Sequence, residues 1–226
     1  MILGIYGVGG FGSEVNEIAQ RINNIKNKWT KIYFVDDNIV NSNKINNSSI
    51  IIDFNKFRSM KEGKEMVIAV GEPSTREILY KRVAEAEIAF GSLHDPTSIV
   101  SDSANIGEGV IIAEYTTIHA NVRIGENSVV QPFCCMGHDI SVGNHSVIST
   151  TANVGGGTII GDRVYLGMNC SILQNLQIGD DAIVAMGAAV FRDVEPNMIV
   201  MGNPARVTKR NESNKVFVNN KSCARN

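Results

Sequence analysis

Residues 136–160 read MGHDISVGNHSVISTTANVGGGTII. Met136, Val142, Ile148, Val154 and Ile160 recur in this stretch at every sixth place. The same register extends back through Val130, Ile124, Ile118, Ile112, Ile106 and Val100, and forward through Leu166, Ile172, Ile178, Val184 and Val190, sixteen apolar positions without a slip. Gly follows the apolar residue at 107, 125, 137, 143, 155, 161, 167 and 179. The fourth place after it is small or apolar throughout, as at Ala104, Thr116, Ser128, Cys134, Ala152, Cys170 and Ala188. A six-residue period fits neither a helix nor simple strand alternation. It fits a solenoid in which each hexad supplies one short strand and one corner, and three hexads close one triangular coil. The apolar and the small residue of each hexad then point inward and stack on their equivalents one coil away, at about the 4.8 Å spacing of paired strands. Glycine beside the apolar position suits a corner where a side chain would crowd the backbone. Cys134 and Cys170, on inward small positions, are expected to be core thiols.

The whole chain has 226 residues, with 21 Lys+Arg against 23 Asp+Glu and a formal net charge of -2. That balance argues against a phosphate-backbone binder, whose affinity rests on a basic surplus on one face. Apolar runs such as VVQPF and VIAV fall far short of the roughly 20 residues of a membrane-spanning helix, so neither nucleic acid nor membrane is an expected partner. The start MILGIYG lacks a basic n-region and a cleavage site, so it does not read as a signal peptide and a cytoplasmic location is expected. Cys134, Cys135, Cys170 and Cys223 lack C-x-x-C spacing and read as free thiols in a reducing compartment.

Upstream of the repeat, Met1–Tyr6 alternates and leads into Gly7-Val8-Gly9-Gly10-Phe11-Gly12, a G-x-G-x-x-G that opens the amphipathic stretch Ser13–Ile22. A second strand, Lys31–Val35, ends in Asp36 and Asp37, near where a dinucleotide fold places its ribose-binding acid. A third, Met66–Val70, ends in Gly71, and Pro73 begins a helix to about Ala86. This is half of a doubly wound unit. It suits a nucleotide held through its diphosphate better than a dinucleotide, which needs two halves across the switch point.

A small Gly-loop domain joined to hexapeptide repeats resembles the sialic-acid and bacillosamine-pathway sugar acetyltransferases. The marks are YGVGGFG at 6–12, FVDD at 34–37, AVG at 69–71, GHDISVG at 137–143, NVGGGTIIGD at 153–162 and MGNPARV at 201–207. The resemblance implies an α/β half-Rossmann domain (1–92) and a left-handed parallel β-helix (93–207), followed here by a polar tail (208–226) expected to be loose. The handedness comes from the resemblance, because crossovers between parallel strands are ordinarily right-handed.

By the same resemblance the activity is acetyl transfer from acetyl-CoA to the C4 amine of a UDP- or dTDP-linked 4-amino-4,6-dideoxy sugar for O-antigen, capsule or glycan synthesis, in a homotrimer with acetyl-CoA between neighbouring chains. O-acetylation of sialic acid or its CMP form is the alternative, and a scaffold without catalysis is the reading from another class. His138 takes the role of base and Asp139 orients it, since a near-neutral imidazole steadied by a carboxylate suits an attacking amine. Coil arithmetic puts Gly156, 18 residues on, beside His138, where its backbone N–H would meet the acetyl carbonyl. Gly155, Gly156, Gly157, His145, Gly167, Met186, Pro204 and Arg206 are expected to hold the cosubstrate. The acceptor falls to Gly7, Gly9, Gly10, Phe11, Gly12, Asp36, Asp37, Gly71 and Arg76. Two positions depart from the family: Val147 stands where relatives place a second His, with His145 two residues short of it, and Phe11 stands where the loop often has His. His119 lies near the base by the same arithmetic, and His94 in LHDPTS reads as structural. No metal is expected, because the paired imidazoles of the zinc-dependent γ-type carbonic anhydrases are missing.

Overall fold

The computed structural model describes residues 1–38, 45–46 and 49–217. The N-terminal domain runs β1 (Ile2–Tyr6), α1 (Gly10–Lys26), β2 (Lys31–Val35), β3 (Ile45–Asn46), β4 (Ser49–Ile52), α2 (Phe54–Ser59), β5 (Lys64–Ile68), α3 (Pro73–Glu85) and β6 (Ala89–Phe90). Its sheet has the order β3-β4-β2-β1-β5-β6, parallel except for the β3–β4 pair. All five residues of β1 are buried, against the alternation read from its sequence, because it is a central strand covered on both faces. Val15, Ile18, Ala19 and Ile22 give α1 its buried stripe at helical spacing. The helix starts at Gly10, not Ser13, so the last two loop glycines belong to its first turn. From β1 the chain winds through β2 to β4 on one side and crosses to β5 and β6 on the other. The reversal places a switch-point crevice between the C-terminal ends of β1 and β5.

From Leu93 the chain winds as a left-handed parallel β-helix of two-residue strands. Up to residue 190 the rungs pair residues 18 apart, as in Ile111 with Val129, Val129 with Val147, Val147 with Tyr165, and Tyr165 with Ile183, and the closing rung shortens to 16, pairing Ile183 with Ile199. The first face carries strands 93–94, 111–112, 129–130, 147–148, 165–166 and 183–184, the second 99–100 to 189–190, and the third 105–106 to 177–178. Inside, the sixfold apolar ladder and the small residues between form one core, Cys134 and Cys170 included. Burial pushes both thiols up to about 12, leaving them protonated. The repeat glycines serve close stacking: a Cβ on Gly155 would stand 2.5 Å from the Gln174 nitrogen, and one on Gly167 2.5 Å from that of Met186. The left-handed backbone falls two places later, on residues such as Asn121, Asp139, His145 and Asn175.

The two domains share one core. Leu93, Ile111 and Val129, pointing outward from the first face, pack with Val15, Ile18 and Ile22 of α1. Arg76, expected to touch the acceptor, is instead fully buried at this junction. Its guanidinium donates to the carbonyls of Ile68, Val70 and Asn127 and to the Asn127 side chain. With no carboxylate partner among the described residues, burial lowers its pKa to about 9, which still leaves it charged at neutral pH. Arg76→Leu would strand these acceptors, so it should lower unfolding stability by about 3 kcal/mol or more in a denaturant titration; a loss within error would refute the bridging role.

The tail is not loose over its described part. Residues Met198–Met201 and Arg206–Arg210 form an antiparallel pair that extends the first face. Asn211 is buried and bonds Asp181 and Asn197, and Val216 and Phe217 return to Glu72 in the first domain. Cys223 lies outside the described residues. No described helix is long and apolar enough to cross a membrane.

Candidate active site

The corner between the second and third faces brings His138, Asp139 and Gly155–Gly157 together. A Cβ built on Gly156 would lie 2.8 Å from both Cε1 and Nε2 of His138, so the imidazole lies directly over the bare Cα, as one turn of 18 residues requires. Nδ1 of His138 is 2.7 Å from Asp139 Oδ2, which fixes the ring through that nitrogen and leaves Nε2, over Gly156, as the other ring nitrogen. Asn121, one coil earlier, donates to the other oxygen of Asp139 at 3.0 Å. Hydrogen bonds from Asn121 and His138 hold the Asp139 carboxyl below the usual carboxylate range, so it stays a charged orienting group. Asn121 was not singled out from sequence, although 139 less 18 would have found it.

Gly157 donates to the His138 carbonyl, at 2.9 Å, and takes left-handed backbone with φ +69°. No acceptor among the described residues takes the Gly156 N–H. At the corner between the third and first faces the equivalent N–H groups of Glu126, Asn144 and Asp162 are each capped by an Asn or Asp side chain from the next coil. At Gly156 the next coil offers Gln174, and the donor beside the imidazole stays open. A polarised carbonyl oxygen is the group such a donor suits.

The remaining expected cosubstrate residues are spread over the prism. His145 stands at the corner facing the N-terminal domain, buried, with Nδ1 3.0 Å from Asn127 Nδ2 and its ring against Tyr80. Burial lowers its pKa. It thus belongs to the domain junction and not to the His138 corner. Val147 is buried in the first face. Gly167 and Met186 share the corner between the first and second faces, across the second face from His138. Pro204 and Arg206 lie on the terminal hairpin. A groove of about 190 Å³ is lined there by Phe191, Arg192 and Arg206. Arg192 follows His138 by three turns of 18 residues, so this cationic groove continues the same edge roughly 14 Å away. Phe191 and Arg192 escaped the sequence reading for want of any motif. His119 is exposed at this edge too, and among the described residues no three His, Cys, Asp or Glu side chains converge as a metal site would need.

A second groove, of about 190 Å³, opens at the switch-point crevice and is lined by Tyr6, Gly7, Asp36, Asp37, Asn38, Val70, Thr75 and Leu79. Gly7 has φ +121°, and a Cβ on Gly12 would stand 2.2 Å from the Gly7 carbonyl oxygen, so both glycines are demanded by the strand-to-helix turn. Gly9 and Gly10 face open space at the start of α1, whose Gly9 N-cap makes no side-chain hydrogen bond, leaving first-turn N–H groups for an anion. Phe11 packs on the domain core and so departs from the expected ligand contact. Asp37 is also taken up internally, by the Tyr6 hydroxyl at 2.6 Å, by Arg82 and by the Phe54 N–H. Burial opposes its ionisation, but these donors keep the carboxyl below its usual range. Asp36 is the acid left to meet a ligand.

Residues 3–83 match the PglD N-terminal domain, and residues 157–192 match six repeats of the bacterial transferase hexapeptide. The chain joins a PglD-type domain to a transferase hexapeptide helix. Among solved structures, the chain is similar to WeeI from Acinetobacter baumannii AYE, with 27% identity, TM-score 0.80, and coverage of 92% of this chain and 100% of that one. The acetyltransferase domain of PglB from Neisseria gonorrhoeae FA1090 matches at 24% identity and TM-score 0.84, covering 92% and 99%. Perosamine N-acetyltransferase from Caulobacter crescentus, solved as a histidine variant with CoA and GDP-perosamine, matches at 21% identity and TM-score 0.83, covering 92% and 97%. No curated protein sequence matches.

Proposed function

We propose that the chain is an acetyl-CoA-dependent N-acetyltransferase acting on the C4 amine of a nucleotide-linked 4-amino-4,6-dideoxy sugar, carried on UDP or dTDP. The His138 imidazole lying over Gly156 with Asp139 on Nδ1 is the observation that carries the reading. Nε2 of His138 removes the proton from the attacking amine while Asp139 steadies the imidazolium. The Gly156 N–H donates to the thioester oxygen as it gains charge, and CoA leaves as thiolate. Arg192 and Arg206, along the same edge, suit the phosphates of CoA. Gly9, Gly10 and Asp36 suit the diphosphate and the nucleoside. The nucleotide-sugar complex of the Caulobacter relative supports the acceptor class. Such products feed O-antigen, lipopolysaccharide, capsule or glycan synthesis, and the reaction belongs in the cytoplasm, where both substrates are made.

The active unit is a homotrimer. The N-terminal domain covers the first face, whereas His138 stands at the vertex opposite that face. One chain therefore presents its crevice and its imidazole on opposite sides of the prism, and a neighbour must complete the site. Exposed apolar side chains on or beside the second face, Ile99, Phe133, Leu173, Met186 and Phe191 among them, supply contact surface. G10D and H138A chains, each inactive alone in an assay of CoA release, should regain about one quarter of wild-type activity when refolded together 1:1, since one site in four then combines two intact halves. A mixture that stays inactive would show that each chain serves itself. A wild-type protein that releases no CoA with an amino-sugar nucleotide would end the functional reading.

A further inference from the structure

We propose that Phe217, held on a strap of residues 211–217, is a specificity residue for the hexose of the acceptor; the inference rests on the function proposed above. The strap is fixed at both ends. Asn211 is buried, donates to the Asp181 carbonyl at 3.0 Å and to the Asn197 carbonyl at 2.7 Å, and accepts from the Lys215 N–H at 3.2 Å. At the other end the Val216 N–H donates to both carboxylate oxygens of Glu72, and the Phe217 N–H donates to one of them at 3.0 Å. Glu72 is the buried N-cap of α3, directly after Gly71.

Phe217 so held is 57% exposed. It makes an edge-to-face contact with Tyr165 of the β-helix, centroids 5.6 Å apart, and its Cε2 lies 3.8 Å from where a Cβ on Gly71 would stand. The ring thus sits between the two domains, at the end of β5.

The sheet order gives the acceptor a direction. The Gly9–Gly10 loop follows β1 in the middle, Asp36 follows β2 on one side, and Gly71 follows β5 on the other. With the diphosphate on the loop and the nucleoside toward Asp36, the hexose leaves on the Gly71 side, where Phe217 stands. A 6-deoxy sugar carries a methyl group in place of a hydroxymethyl, and a fixed aromatic ring offers it apolar contact without a polar group to desolvate. Discrimination through one such contact is about 10-fold or somewhat more.

The test uses the full chain with UDP- and dTDP-4-amino-4,6-dideoxyglucose as acceptors. F217A should raise the acceptor KM about tenfold and leave the acetyl-CoA KM within about twofold. E72A, which releases the strap, should move the acceptor KM in the same direction, and F217Y should restore it. Calorimetric binding of dTDP or UDP alone, which lack the hexose, should be unchanged in F217A. An unchanged acceptor KM in F217A, or an equal weakening of the bare nucleotide, would overturn the assignment while leaving the proposed activity intact. A wild-type chain that turns over neither acceptor would instead remove the activity on which it rests.

Discussion

His138→Ala should lower kcat about a thousandfold, in the middle of the range that a positioned general base contributes. The imidazole is largely exposed at a corner and, among the described residues, its ring is hydrogen-bonded by Asp139 alone, so its loss removes no buried contact. Thermal stability and oligomeric state should therefore match the wild type, and acetyl-CoA should bind with little change. KM for either substrate should also move little, because a proton acceptor acts in the transition state and not in ground-state binding. Steady-state kinetics with thiol detection of CoA checks this. A variant that keeps more than about one tenth of wild-type kcat would dismiss His138 as the base, given the 10²-fold floor expected of such a group.

Gly156→Ala probes the same geometry from the other side. The new methyl group would stand 2.8 Å from Cε1 and Nε2 of the His138 ring, and that ring is the free end of an exposed side chain. Gly156 does not have left-handed backbone, so alanine is accommodated by moving the imidazole and not by straining the chain. Unfolding free energy should stay within about 1 kcal/mol of the wild type. Activity should fall about 100-fold or more, since both the base and the approach to the backbone donor are displaced together, and loss of a single such donor already has that size. Full activity in G156A would show that the thioester does not approach this Cα. The pair should also be non-additive: once His138 is gone, the G156A methyl group has no ring to displace, so the double variant should be less impaired than the product of the two single losses.

The β-helix was legible because its long-range contacts have a constant offset. A residue 18 places on is the neighbour one rung up, so His138 and Gly156 could be paired by addition, and the same sum applied to Asp139 and to His138 reaches Asn121 and Arg192. Inward positions were legible for the same reason, down to Cys134 and Cys170. The N-terminal domain lacks a period, and reading it element by element located β2 and α3 while placing the third strand two residues late, at Met66 instead of Lys64. Its short β4, α2 and β6 carry too few residues to announce themselves.

The composition and rhythm of the chain thus determined a triangular solenoid behind a Gly-loop domain, and with it one imidazole over one bare backbone position. Only the tertiary structure decided that Arg76 bridges two domains instead of meeting a ligand, that His145 and Asp37 are taken up internally, and that residues 216–217 close on Glu72, 144 positions away in the chain. Those outcomes follow from which surfaces cover which. The first face of the prism is apolar outside as well as inside at Leu93, Ile111 and Val129, and burying that second side against α1 brings Arg76, Asn127 and His145 inward, where hydrogen bonding to one another becomes obligatory, whereas Asp37 is claimed within the N-terminal domain by Tyr6, Arg82 and Phe54. No periodicity encodes such a docking, because it depends on the shapes of two units that share no repeat.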